Sequence, residues 1–432
     1  MSAPVATEGG ALRRLRGVYY GWWLLAASVV AMAFGSGFSF WSFGLYVSPL
    51  EEEFGWSRAQ VSLGFSFALL VSGLVSPLVG RWIDVRGPRS AIVIGATLAS
   101  LTYVLLALTE TLWQWYLFNA INAVFRQMMF FIPFQTLVSR WFVMRRGVAL
   151  SILGVGFSLG GFAVVPLMQA VVDTIGWDGS FLFSGAMTAL IFLPVAIFVI
   201  KNRPEDIGAQ PDGRTEPLAP GHVNAGRSGV SLSEAVRMPL FWLIALGLML
   251  LFYGMFGWTV HQIPFWESKG FSRETGALFL SLAAGAGIIF RLSFGFASDR
   301  LPRIEYAGMA FTACLLTSFT ILLLSTSVPG IGLYLAFWVV GSSGAPLMEA
   351  LLITRAFGLA HFATILGTIV VIETIGQIIS PTVAGAIFDA TGSYDWALVM
   401  FICTFSASFG MFLLASKLPQ PAARASQDQA PG

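Results

Sequence analysis

The chain has 432 residues, of which 56% are hydrophobic before its 46 glycines are counted, and only 11% are charged. Soluble chains run at roughly 45–50% apolar with glycine included and about 25% charged, so 24 basic and 22 acidic side chains cannot cover a water-soluble fold of this size. A net charge of +2 offers no basic face for nucleic acid, and two cysteines, both inside apolar runs, exclude a disulfide framework and a cysteine metal cluster.

In chain order, residues 1–17 form a short polar lead, and the first apolar run covers 18–40. That run is longer than a signal-peptide core and meets no small-residue cleavage pattern, so it reads as a retained helix. Further runs long enough to cross a hydrocarbon layer of about 30 Å lie at 59–79, 90–108, 113–135, 148–170 and 180–200. A polar stretch rich in Pro, Gly, Asp and Arg follows at 201–238, with one helix-like piece near Ser233–Arg237. Six more runs complete the chain at 239–261, 276–298, 306–326, 331–353, 363–386 and 396–416, before a tail at 417–432. Continuous runs of this kind are helices, which satisfy their backbone groups internally, and not the alternating strands of a barrel. The expectation is an all-α integral membrane protein with twelve transmembrane helices, six in 18–200 and six in 239–416.

Basic residues mark the retained side of a membrane. The N-terminus, the even-to-odd connections and the tail hold 19 of the 24 lysines and arginines, including Arg13, Arg14, Arg16, Arg81, Arg140, Arg145 and Arg146. The opposite face holds Arg58, Lys269 and Arg273. Both termini and the linker are therefore expected in the cytoplasm, with the chain in the cell membrane.

The two halves are copies at an offset of about 215 residues. Gly55-Trp-Ser-Arg58 recurs as Gly270-Phe-Ser-Arg273, Gly80 and Asp84 as Gly295 and Asp299, Arg140 as Arg355, Pro166 as Pro381, and Asp173-Thr-Ile-Gly176 as Asp389-Ala-Thr-Gly392. Two pseudo-symmetric six-helix bundles facing each other can rock about a site between them, the geometry of alternating access.

After the second run stands Gly80-Arg-Trp-Ile-Asp84-Val-Arg86-Gly87-Pro-Arg89, and after the eighth Gly295-Phe-Ala-Ser-Asp299-Arg300-Leu-Pro302-Arg303. The glycine admits close helix packing, and the carboxylate can cap a neighbouring helix N-terminus or pair with an arginine. These residues resemble the G-x-x-x-D-(R/K)-x-G-(R/K) signature of the major facilitator superfamily, with Pro302 departing from it in the second copy. The resemblance extends over nearly the whole chain and implies the major facilitator fold.

Finer features narrow the branch: His261-Gln-Ile-Pro264, Arg291 four residues before Gly295, Arg203-Pro-Glu-Asp-Ile-Gly208, Arg140-Trp-Phe, and Phe388-Asp-Ala-Thr-Gly-Ser-Tyr394. Together they resemble the monocarboxylate porter and oxalate/formate antiporter group. That resemblance implies transport of small organic anions, with Arg291 on the substrate carboxylate. Animal members carry a lysine in helix 1 and an aspartate one turn before the helix-8 arginine. Here helix 1 has no lysine and the second place is Gly287, so coupling schemes built on that aspartate do not transfer.

A charged side chain at the centre of a membrane helix costs on the order of 2.5–3.5 kcal/mol even on the lenient scale, so each one needs a reason. Arg291 can grip a carboxylate with parallel hydrogen bonds. Arg126 shares a helix face with Asn119 and Asn122 at i, i+3 and i+7, the pattern of a cavity wall; if both arginines reach the site, a second polar or anionic group on the substrate is expected. Glu349 and Glu373 are candidate proton carriers, with neutralisation of Arg126 and Arg291 as the alternative. His261 and its repeat partner Tyr46 mark the outer ends of helices 7 and 1, His261 as a proton or gating residue. Trp41, with its aromatic neighbours, offers an apolar wall.

No H-E-x-x-H or Walker A segment is present, so neither enzyme chemistry nor ATP drive is expected, and no cofactor or metal. The reading is a monomeric secondary transporter of mono- or dicarboxylates with a proton, partnered by the lipid bilayer. Anion exchange is the alternative, and a solute sensor the remoter one.

Overall fold

The computed structural model describes residues 19–213 and 229–420. The lead at 1–17 with Arg13, Arg14 and Arg16, linker residues 214–228 and the tail from 421 onward lie outside the described residues. Those described are almost wholly helical, with one isolated bridge between Gly229 and Gly358 in place of any strand.

Eleven helical stretches are long and apolar enough to cross a membrane, and one of them, Arg146–Val199, covers 54 residues. It turns at Gly176, whose φ of 79° and ψ of 172° interrupt the helix, so it supplies spans 5 and 6. The others are span 1 (Tyr20–Phe54), span 2 (Arg58–Arg86), span 3 (Pro88–Ala107), span 4 (Leu112–Trp141), span 7 (Pro239–Ser268), span 8 (Arg273–Ser298), span 9 (Glu305–Leu324), span 10 (Val328–Phe357), span 11 (Phe362–Thr391) and span 12 (Asp395–Lys417). Several run well beyond the apolar windows in the sequence, because a helix continues past the hydrocarbon until a cap stops it.

Local chemistry explains one repeated motif. Gly55 and Gly270 adopt φ values of 69° and 88°, which end one helix in the left-handed region that favours glycine. Two residues on, Ser57 and Ser272 accept from the backbone N–H of Gln60 and Thr275 and start the next. Gly392, at φ 66° and ψ 8°, ends span 11 in the same way, and Gly176 ends span 5 at a positive φ of 79° with a more extended ψ of 172°.

The carboxylates of the two signature loops cross between the halves reciprocally. Asp84, ending span 2, accepts from the backbone N–H of Ala363 and Thr364 at 3.2 and 2.8 Å and from the Thr364 hydroxyl at 2.6 Å, at the start of span 11. Asp299, ending span 8, accepts from Gly147 and Val148 at 2.7 and 3.3 Å, at the start of span 5. Each carboxylate sits on the positive end of a helix dipole, where its charge is stabilised. Gly80 and Gly295 let the backbones meet: a Cβ at Gly80 would lie 2.1 Å from the Ala363 carbonyl oxygen, and one at Gly295 would lie 2.3 Å from the Ser151 hydroxyl.

The remaining signature residues brace this end. Arg140 lies 3.8 Å from Asp84, while its repeat partner Arg355 donates to the Ser298 and Leu301 carbonyls. Arg89 donates to the Ala196 and Ile197 carbonyls, Arg86 lies 4.0 Å over the Trp82 ring, and Gly87 turns at φ 85°. Arg300 bonds the Phe296 carbonyl in its own helix, and Arg303 ties Glu305 to the Leu418 carbonyl.

A charged hydrogen bond contributes about 1.5–3 kcal/mol, so Asp299→Ala is expected to shift the closed-to-open ratio at this end by roughly ten- to a hundredfold. Maleimide labelling of a cysteine at Ser151, which is fully buried, should accelerate accordingly in a background lacking Cys314 and Cys403.

Candidate functional site

Span 10 breaks in its middle. The helix Val328–Ser343 stops, and a second, Ala345–Phe357, begins with Pro346 in its first turn. The last carbonyls of a helix have no partner within it, so those at the break look elsewhere. The Ser343 carbonyl accepts Nε of Arg291 at 3.0 Å. It lies at a helix C-terminus, where the dipole favours a cation. The Nη1 of Arg291 reaches the other way, into span 5 of the facing half, and donates to the Gly154 carbonyl at 2.7 Å and the Ser158 hydroxyl at 3.0 Å.

Arg126 is held in a related manner. Its Nη1 donates to the Ser39 carbonyl at 3.2 Å, where the first helix of span 1 ends, its Nε has no partner, and the Tyr103 phenol lies beside it. Asn119 donates to the Trp115 carbonyl of its own helix at 2.8 Å, and Asn122 donates to Thr102 at 2.9 Å and to the Ala99 carbonyl in span 3. The polar stripe of span 4 thus faces its own bundle's interior, and both amides are engaged there. Gln127, which the periodicity does not single out, accepts from Ser72 and donates to Ser76 in span 2.

Four ion pairs occur among the described residues, and none includes Arg126 or Arg291. The expected alternative, in which Glu349 and Glu373 neutralise the arginines, is therefore not the observed arrangement. Those two carboxyls lie close enough to act on one another, are only 4% and 3% exposed, and each keeps an Oε1 without a partner. The intramembrane charges are segregated: the two cations lie on backbone carbonyls and a hydroxyl, and the two acids form no ion pair with them.

Aromatic rings gather next to Arg291. Phe157, one residue before Ser158, packs against Phe40, Trp41, Phe130 and Phe131 with centroids 5.5–6.3 Å apart. The Trp41 indole N–H donates to the Phe157 carbonyl at 3.0 Å while the ring stays 42% exposed. Phe256 of span 7 approaches Phe40 from the opposite half at 6.5 Å.

Tyr46 and His261 sit elsewhere. Tyr46 is 2% exposed and stacked on Phe181 in the core of the first bundle, so its ring is spent on packing. His261 lies within 2.8 Å of the Pro381 carbonyl through Nε2 and 3.1 Å of the Tyr394 hydroxyl through Nδ1. A carbonyl only accepts, so Nε2 carries a proton and in the neutral ring Nδ1 accepts from Tyr394. Both partners belong to the second half. The sequence gives no direct signal for Gly154, Ser158 or Ser39 as arginine partners. The cluster Ser343-Gly-Ala-Pro346 does flag the break in span 10.

The family model described as Major Facilitator Superfamily matches residues 29–364. A curated relative, monocarboxylate transporter 11 of Homo sapiens, is 28% identical over 88% of this chain and 80% of its own length. The oxalate:formate antiporter of Oxalobacter formigenes is 24% identical over 67% of this chain and 66% of its own. Among solved structures, a bacterial homologue of the iron transporter ferroportin in an outward-facing state superposes with a TM-score of 0.72 at 15% identity, covering 93% of this chain and all of that one; at that identity the likeness speaks for the fold. With twelve spans, reciprocal signature loops and a family model spanning most of its length, the chain belongs to the major facilitator superfamily of transporters.

Proposed function

We propose that this transporter carries small organic anions, mono- or dicarboxylates, by alternating access, in symport with a proton. One observation carries the reading: Arg126 and Arg291 lie well inside spans 4 and 8, and neither forms an ion pair with a carboxylate among the described residues. Carbonyl and hydroxyl dipoles solvate a guanidinium but leave its charge uncancelled, and an uncancelled charge in a low-dielectric site attracts an anion strongly. Arg291 takes the carboxylate in a forked hydrogen bond. Phe157 and the half-open face of Trp41 lie beside the carbon skeleton. Arg126, with its unpartnered Nε, attracts a second polar or anionic group; Asn119, Asn122 and Tyr46 shape the bundle behind it.

The Glu349–Glu373 pair supplies the proton site. Both carboxyls are buried, so the charge either one carries answers to the electrostatics of the cavity. His261, Pro381 and Tyr394 form a gating contact at the far end of spans 7 and 11. The chain works as a monomer in the cell membrane with both termini cytoplasmic.

Uptake into proteoliposomes of labelled lactate, oxalate and benzoate, with and without an inward proton gradient, tests this. The expected result is accumulation of at least one of them driven by the gradient without internal anion. Uptake that requires internal counter-anion and ignores the gradient would replace symport with exchange.

A further inference from the structure

We propose that span 5 keeps the substrate's place on Arg291: in the empty transporter the Gly154 carbonyl and the Ser158 hydroxyl occupy Nη1, and an arriving carboxylate displaces them, cutting a tie between the two bundles. This rests on the reading of Arg291 as the anion site and adds Ser158 as a competitor of the substrate.

The geometry divides the guanidinium's partners by bundle. Nε is bound to Ser343 of its own half at 3.0 Å, whereas Nη1 crosses to the other half at 2.7 and 3.0 Å. Gly154 makes the crossing possible, because a Cβ there would lie 3.0 Å from Cδ of Arg291. The crossing partners are neutral. Hydrogen bonds to a charged acceptor are roughly twice as strong as neutral ones, so replacing a carbonyl and a hydroxyl by a carboxylate is favourable on Nη1 while the Nε anchor can remain.

Span 5 is also the helix whose first turn is clamped by Asp299. Span 8 therefore holds span 5 at two levels, by Asp299 at its start and by Arg291 two turns further along. A ligand that releases the upper tie leaves only the lower one, and so raises the population in which spans 5 and 8 separate. By reciprocity, the tie lowers the empty transporter's affinity for the anion.

The sign of one substitution separates this from direct substrate contact. If Ser158 competes with the anion, Ser158→Ala tightens binding; if Ser158 holds the anion, the same change weakens it. Losing one net hydrogen bond from the empty state predicts a Kd lower by about two- to tenfold. Ser158→Thr, which retains the hydroxyl, is expected to stay near the wild-type Kd.

Lactate, oxalate and benzoate would be titrated separately onto the full chain in lipid nanodiscs, reading thermal stabilisation. Tighter binding of any one of them to Ser158→Ala, with Ser158→Thr unchanged, supports the proposal. Unchanged or weaker binding to Ser158→Ala overturns it and leaves the anion site standing. Wild-type binding by Arg291→Gln, or no binding of the three anions by wild type, overturns the anion site itself.

Discussion

Replacing Arg291 with alanine is expected to reduce carboxylate uptake by a hundredfold or more while costing the folded protein less stability than the loss of a buried ion pair would. The loss follows from the forked contact: two charge-assisted hydrogen bonds at about 1.5–3 kcal/mol each exceed the roughly 2.7 kcal/mol that corresponds to two decades. The stability follows from the partners. Arg291 donates only to the carbonyls of Ser343 and Gly154 and the hydroxyl of Ser158. Its removal orphans no carboxylate, and it withdraws a buried charge that costs on the order of 2.5–3.5 kcal/mol to place in a membrane helix. A structural arginine would behave in the opposite way, since breaking a buried ion pair destabilises by about 3–5 kcal/mol. Uptake in proteoliposomes and the thermal midpoint of the same preparations give both readouts. Retained uptake with a lowered midpoint would reassign Arg291 to the scaffold. Arg291→Lys separates charge from geometry: a compact ammonium cannot reach Ser343 and span 5 together, so it is expected to fall at least tenfold below wild type.

Much of the scaffold is legible in the sequence because its signals are periodic and local. Apolar length identifies the spans, and the repeat at an offset of about 215 pairs Gly55 with Gly270, Asp84 with Asp299 and Gly176 with Gly392, which the backbone angles and the reciprocal caps place in matching roles. Residue type also marks Arg126, Arg291, Glu349 and Glu373 as costly inside a membrane. What the sequence conceals is who meets whom. Counting two bases and two acids suggests mutual neutralisation, but the partners of each arginine are backbone carbonyls, which every residue carries and no pattern distinguishes. The Ser39 carbonyl is available because the first helix of span 1 ends there, and the Ser343 carbonyl because the first helix of span 10 ends there. In span 4 the i, i+3, i+7 stripe correctly groups Asn119, Asn122 and Arg126 on one face, yet periodicity cannot say whether that face looks onto a cavity or onto span 3. The bonds from Asn122 to Thr102 and Ala99 answer that.

The segregation of charge has a mechanical consequence. The proposed anion and proton sites lie in the same half, with Arg291 on span 8 and the two acids on spans 10 and 11, and span 10 touches on both: the Ser343 carbonyl anchors Arg291, and Glu349 lies in the first turns of the helix that starts two residues later. A carboxylate settling on Arg291 places negative charge near the acids, and protonation of the pair removes the repulsion that this charge would meet. On the proposed symport reading, loading of anion and proton is thereby expected to be cooperative in sign.

Glu373→Gln is therefore expected to abolish accumulation driven by a proton gradient, by at least tenfold, while exchange of labelled for unlabelled anion across the same membrane survives. Glutamine keeps the volume and removes the titration, so packing around this 3%-exposed side chain changes little. The neighbouring residue explains how a proton here reaches the inter-bundle contact. Thr374 packs into the space left by Gly73 of span 2, where a Cβ would lie 2.5 Å from its hydroxyl, so Glu373 is adjacent in the chain to the surface on which the two halves slide. Charge appearing at Glu373 must be solvated, and the nearest route to solvation is separation of that surface; a proton, or glutamine, removes the demand. Exchange needs only the loaded transporter to reorient, whereas net transport also needs the empty one to return, and the empty return is the step that titration of Glu373 is expected to control. Counterflow and gradient-driven uptake measured on the same vesicles distinguish the two. An undiminished gradient response in both Glu373→Gln and Glu349→Gln would remove the acid pair from the coupling path and place proton coupling on another group.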